Sequence, residues 1–166
     1  PKLCGVIGAE GGADAARAIM TTDTVPKEAT ARAGTATVGG MAKGAAMLAP
    51  NMATMLAVLT TDAVVDAATL QKVLGQAVSM TFNRIVVDGC TSTNDSVIVL
   101  ANGVSKVEPE PVALGRALLE ACGSLAMQMV RDAEGHTKVV TISVEEAATP
   151  EDAERAARKL ASSLLV

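Results

Sequence analysis

Apolar positions along this chain recur at two different spacings. After Asp66, the residues Leu70, Val73, Leu74, Ala77 and Val78 return every three or four positions, which predicts a helix capped by Asp66. Leu114, Leu118, Ala121, Leu125 and Met129 repeat the pattern and predict a second long helix over 112–130. A third is signposted by Thr149-Pro150-Glu151-Asp152: an N-cap hydroxyl, a proline at the first helical position and two acids in the first turn. Its inward stripe is expected to be Ala153, Ala156, Ala157 and Leu160, and a short Ala-rich helix is expected before Thr21. Between the helices the period shortens to two. Lys138–Glu145 alternates strictly, with Val140, Ile142 and Val144 on one side and Thr141 and Ser143 on the other. Ser96–Ala101 is a continuous apolar run ending at the Asn102-Gly103 turn signal. Arg84–Asp88 and Met52–Thr60 are further strand candidates, while Lys2–Gly8 and Thr35–Met41 are weakened by their glycines. The pattern is that of an α/β chain, one or two sheets covered by helices, with 1–166 forming a single domain. No internal repeat or linker interrupts it, and Glu108-Pro109-Glu110-Pro111 reads as a stiff surface loop.

Composition sharpens this picture. Of 166 residues 49% are hydrophobic, yet Phe82 is the only aromatic, so the core must be built from Ala, Val, Leu, Ile and Met. Ala-rich helix faces that approach a sheet closely suit such a core. A net charge of −4 and the lack of a basic cluster argue against a nucleic-acid partner, and base-stacking modules need aromatics that this chain lacks. Cys4, Cys90 and Cys122 are scattered and odd in number, and with the lone His136 they match neither a disulfide framework nor a zinc-ligand spacing. No metal is expected. A reducing cytoplasm suits free thiols. No apolar run reaches membrane-spanning length, and no secretory signal is expected at PKLCGVIG.

Candidate chemistry lies in four places, each with a plainer structural reading beside it. In Thr37–Thr61 a glycine-rich turn carries Lys43, and a Pro-Asn-Met-Ala passage then leads through Thr54 into an apolar strand. The phosphate-loop spacing GxxxxGK[ST] is absent, and a tight turn with a solvated lysine explains the local pattern as well. Thr91, Ser92, Thr93 and Asn94 either line a cavity or close a turn on their own backbone. Glu134 and His136 flank a glycine at a helix-to-strand turn, and Thr21 and Thr22 follow the Ala-rich helix, where polar residues commonly cap.

In combination these stretches are distinctive. AIMTTDTVPK (18–27), GGMAKGAAMLAPNMATML (39–56), TFNRIVVDGCTSTNDSV (81–97) and RDAEGHTKVV (131–140) resemble the ornithine acetyltransferase family, the bifunctional glutamate N-acetyltransferases of arginine biosynthesis. The likeness runs almost continuously from Gly11 to Val166. The resemblance implies an αββα-like sandwich of the OAT/DmpA-like kind, and a precursor that cuts itself between Ala53 and Thr54. Thr54 would then take the acetyl group from N-acetylornithine as an ester and pass it to glutamate. The freed α-amine of Thr54 would serve as base for a hydroxyl that is otherwise a poor nucleophile. It further implies that Thr21, Lys43, Thr54 and Glu134 contact substrate, with acetyl-CoA a possible co-substrate, no resident cofactor, and an oligomer of cleaved fragments.

The chain also departs from the family. Where the family places a Thr-Gly oxyanion pair, this sequence has Cys4-Gly5, and a thiol is a weaker donor than a hydroxyl. Only Ala9-Glu10 stand where the family carries a helical segment. The family's N-terminal region and C-terminal lobe are expected to be missing. The alternatives are a related self-processing amidase or aminopeptidase, which would hydrolyse the same acyl-enzyme, and an inactive truncated fragment.

Overall fold

The computed structural model describes residues 8–46, 55–88 and 94–163. In chain order it holds α1 (Gly12–Ala18), β1 (Lys27–Ala33), β2 (Ala36–Lys43), β3 (Leu56–Thr61), α2 (Ala67–Met80), a 3-10 turn (Phe82–Arg84), β4 (Ser96–Ala101), α3 (Pro111–Arg131) and α4 (Pro150–Ala161). The strands form one sheet in the order β1-β2-β3-β4. Strand β2 runs antiparallel to both β1 and β3, and β4 joins β3 in parallel after the α2 crossover. A two-residue turn, Gly34-Thr35, closes the β1–β2 hairpin, because Ala33 pairs with Ala36.

Helices α2 and α3 cover one face of this sheet, α3 lying over β1 and β2 and packing against α2. The core is as aliphatic as the composition demands. Leu114, Leu118, Ala121, Leu125 and Met129 of α3 are fully buried against Val38, Ala57 and Leu59 of the strands. Gly40 lets β2 and α3 approach: a Cβ there would stand 3.0 Å from Leu59 Cγ and 3.4 Å from Leu125 Cδ1. The glycine that weakens the strand in isolation is what the packing requires.

The α/β class with a sheet covered by helices is therefore what the chain adopts, and the described residues hold one sheet and its helical cover. The helices predicted after Asp66 and over 112–130 are α2 and α3. Asp66 accepts hydrogen bonds from the N–H groups of Ala68 and Thr69, and α3 starts one residue early with Pro111 at its N-terminus. The extended stretch Ser96–Ala101 is β4, and Thr35–Met41 corresponds to β2. Of Met52–Thr60, Leu56–Thr60 belong to β3 and residues 52–54 lie outside the described residues, as do residues 2–7 of Lys2–Gly8.

Three expectations are corrected. Arg84–Asp88 is not a strand: Arg84 ends the 3-10 turn, and Ile85 and Val87 pack against the core without ladder partners among the described residues. Lys138–Glu145 has no regular secondary structure and pairs with no strand among the described residues, leaving Val140 66% exposed despite its alternation. The α4 cap is as expected, with Thr149 Oγ1 accepting from the Asp152 N–H, but no residue of α4 is buried and Leu160 is 48% exposed. Of its stripe, Ala153 and Ala157 are half-buried while Ala156 and Leu160 stay exposed.

Candidate functional site

One end of the sheet collects the segments that the sequence marked for chemistry. There β1 begins at Lys27, β2 ends at Lys43, β3 begins at Leu56 and β4 begins at Ser96. The register aligns them, because Lys27 pairs with Ala42, Lys43 with Leu56, and Leu56 with Ser96. The loop between α1 and β1 brings Thr21, and the turn after α3 brings Glu134.

A buried charge cluster ties these loops together. Lys27 is completely buried, and its Nζ donates to Asp23 Oδ1 at 2.6 Å, to Asp132 Oδ2 at 2.6 Å and to the Val25 carbonyl at 3.2 Å. Asp23 also accepts the Gly44 N–H at 2.7 Å and the Thr21 N–H at 3.3 Å. Asp132 accepts the Thr24 N–H at 2.9 Å and the Thr24 hydroxyl. One ammonium facing two carboxylates leaves a surplus negative charge, and those N–H and O–H donors stabilise it. Burial by itself raises the Asp23 carboxyl pKa. The Gly44 N–H, the Lys27 ammonium and the Thr21 N–H outweigh burial and hold the pKa below the ordinary 3.8. Asp132 shows the same balance, burial raising its pKa and the bonds from Lys27 and Thr24 lowering it further. Gly44 reaches Asp23 with φ at 149°, a backbone conformation that favours glycine.

A further bond joins two of the marked segments directly: the Glu134 N–H donates to the Ala45 carbonyl at 2.7 Å. Thr21, Lys43 and Glu134 are thus placed on backbone segments held to one another. The side chains of Thr21 and Glu134 are exposed and that of Lys43 is half-buried, so all three remain accessible. Met55, the residue after Thr54 in sequence, donates its N–H to Asp95 Oδ1 at 2.8 Å, and its carbonyl accepts from Ser96 at 3.1 Å. The head of β3 is thereby fixed to the end of the TSTND stretch. Ala53 and Thr54, Cys4 and Gly5, and Thr91–Thr93 lie outside the described residues. His136 is an exposed turn residue whose Nδ1 donates to the Ala133 carbonyl at 2.6 Å.

Sequence reasoning singled out Thr21 and Glu134 but gave no role to Lys27 or Asp132. A lysine following Pro26 looks like a solvated surface group. The available signal was an acid inside each of two motifs, Asp23 in MTTD and Asp132 in DAEG, with no basic residue yet assigned to answer them.

Fold and site together define an α/β protein whose motif-bearing loops are gathered at one end of a mixed sheet, beside the strand that follows Thr54 in sequence. The chain belongs to the ArgJ family, whose profile matches residues 2–166, in agreement with the resemblance carried by its motifs. It is 54% identical over 166 residues to the arginine biosynthesis bifunctional protein ArgJ of Mycobacterium leprae, covering 99% of this chain and 40% of that protein. It is 52% identical over 167 residues to the protein of the same name from Symbiobacterium thermophilum, covering 95% of this chain and 42% of that one. A crystal structure of arginine biosynthesis bifunctional protein ArgJ from Bacillus halodurans superposes with a TM-score of 0.61 at 42% identity, covering 64% of this chain and 53% of that one. The chain spans about two fifths of the length of the curated relatives it matches. No helix among the described residues is long and apolar enough to cross a membrane.

Proposed function

We propose that this chain is the nucleophile-bearing part of an acetyltransferase of arginine biosynthesis, moving an acetyl group from N-acetylornithine to glutamate. The observation that carries the reading is the gathering of the MTTD, MAKG and DAEG segments at the sheet end where β3 begins, two residues after Thr54. Cleavage between Ala53 and Thr54 frees the threonine α-amine. That amine takes the hydroxyl proton, and Oγ attacks the acetyl carbonyl of N-acetylornithine. The C–N bond breaks, ornithine leaves with the proton, and an acetyl-Thr54 ester remains. The α-amine of glutamate then attacks that ester, N-acetylglutamate departs, and the hydroxyl is restored.

In this scheme Lys43 holds a substrate carboxylate, and Glu134, acceptor-only when ionised, receives the substrate amino group. Thr21 supplies a hydroxyl to the same molecule. Gly5 offers its N–H to the oxyanion, with Cys4 as a weaker neighbour. No resident cofactor takes part, and acetyl-CoA is a second acetyl donor. Residues 1–166 act as one catalytic domain, working in the cytoplasm within an oligomer of cleaved fragments.

Mass spectrometry of the full-length protein, together with an N-acetylglutamate assay, tests the reading. Expected are a fragment starting at Thr54, ping-pong kinetics, and loss of both cleavage and transfer in Thr54→Ala. Survival of either in that variant removes Thr54 from the mechanism. Release of free acetate without N-acetylglutamate would instead make the protein a hydrolase.

A further inference from the structure

The exposed side chains assigned to substrate sit on segments with no regular structure of their own. Thr21 lies in the loop 19–26, and Glu134 in the turn that follows α3. Such loops are mobile unless their backbone is tied down, and a binding site built on them loses affinity to the entropy of ordering. Here both are tied to one completely buried ammonium. Asp23 grips the Thr21 and Gly44 N–H groups, Asp132 grips Thr24, and Lys27 grips both carboxylates.

We propose that Lys27, Asp23 and Asp132 form a positioning cluster that sets the distance between the Thr21 loop, the Lys43–Ala45 turn and the Glu134 turn. The cluster thereby fixes the affinity of the site for α-amino-acid substrates without touching them. This inference rests on the acetyl-transfer reading above. Stability alone is a poor reason for the cluster, since a buried ion pair is often matched or bettered by apolar residues of similar volume. What charge supplies and hydrocarbon does not is direction. Each carboxylate oxygen fixes a particular N–H, and the ammonium holds the two carboxylates within 2.6 Å of one atom. Asp132 alone spans loops 108 residues apart in sequence, through Thr24. Among the described residues no bond joins the cluster directly to the strand that follows Thr54; its link there runs through Gly44 and the Lys43–Leu56 pairing, while Met55 is held by Asp95. Loosening it is therefore expected to weaken recognition more than the chemical step.

The test uses the full-length protein and steady-state kinetics with N-acetylornithine and glutamate. Asp132→Asn keeps the shape of the side chain but removes one charge, and KM is expected to rise about tenfold or more for both substrates while kcat stays within about threefold. Thr24→Val, which removes only the hydroxyl bonded to Asp132, is expected to raise both KM values by a smaller factor, and Asp132→Glu to recover part of the loss. Leu114→Ala, in the first turn of α3, lowers Tm by packing alone and is expected to leave both KM values unchanged. Should Asp132→Asn fail to fold, the order of Thr24→Val against Leu114→Ala decides the matter. Unchanged KM in the cluster variants, a fall in kcat with KM constant, or a rise in KM that merely follows Tm in Leu114→Ala would each overturn the positioning role. A wild-type protein that makes no N-acetylglutamate overturns the acetyl-transfer reading, and this inference falls with it. A working wild type with unaffected variants overturns only the inference.

Discussion

On the helix-covered face of the sheet, Val38, Ala42, Ala57 and Leu59 are sealed from water, and the same side of β1 carries Lys27, Ala29, Ala31 and Ala33. On the opposite face the register lays Glu28, Met41, Val58 and Ile98 in one row and Thr30, Gly39, Thr60 and Leu100 in the next. That face is polar toward β1 and apolar toward β4, where Ile98 is 43% and Leu100 59% exposed. The same four strands thus present a finished interior and an open surface. The αββα-like sandwich expected from the motif resemblance would place a second sheet against the open side. The one charge that the described strands carry on the finished side, Lys27, is also the group that holds the candidate site together.

Removing that charge is expected to have the largest effect. Lys27→Met would leave two buried carboxylates without a counter-ion, a loss of about 3–5 kcal/mol typical of breaking a buried pair from one side. Chemical denaturation of this chain measures it. The same cluster gives an acid dependence of defined sign. The pKa values of Asp23 and Asp132 lie below their ordinary 3.8, so the stabilisation is complete above that value. As pH falls below about 4 the unfolded chain takes up protons before the folded one does, and stability declines until the folded carboxyls protonate. Asp132→Asn should flatten that decline. A wild-type stability that stays level from pH 6 to 3 would contradict the arrangement.

Truncation of Leu118, fully buried in α3, should rank next. Leu118→Ala is expected to destabilise by about 2–5 kcal/mol, since the aliphatic core has few bulky neighbours able to collapse into the cavity. Gly40→Ala follows, because its methyl must press on Leu59 and Leu125, with an expected loss of about 1–3 kcal/mol from overpacking. A neutral or stabilising result there would show that β2 and α3 have slack, and that the covered face is less finished than it looks.

The same contrast explains which parts were legible from sequence. Helices α2 and α3 announce themselves because their apolar stripes have a finished face to meet, and β4 because six consecutive residues are compatible with a strand. Strand β1, Lys27–Ala33, went unread: its inward side chains are alanines and one lysine, so alternation with Glu28, Thr30 and Arg32 carries almost no hydrophobic contrast. Lys138–Glu145 failed in the opposite way, with strong alternation but no strand beside it among the described residues; pairing is a long-range property that local periodicity cannot supply. At the site, motif resemblance supplied Thr21, Lys43 and Glu134. The buried cluster beneath them appears only when 23, 27 and 132 meet in space.

The smallest expected effect probes the open face. Leu100→Ser and Ile98→Ser remove apolar groups that are already substantially hydrated, so each should change the stability of this chain by no more than about 0.5 kcal/mol. The same substitutions in the full-length protein should be felt more strongly if a second sheet lies there, because a hydroxyl would then replace hydrocarbon in a closed interface. Thermal denaturation of both lengths, each with and without the substitution, separates the cases. Equal and negligible shifts in the two would mean that this face stays open in the complete protein, and that its apolar edge along β4 serves something other than a sandwich interior. A large shift in the short chain would mean that the face is already covered, and the contrast between the two sides of the sheet would be lost.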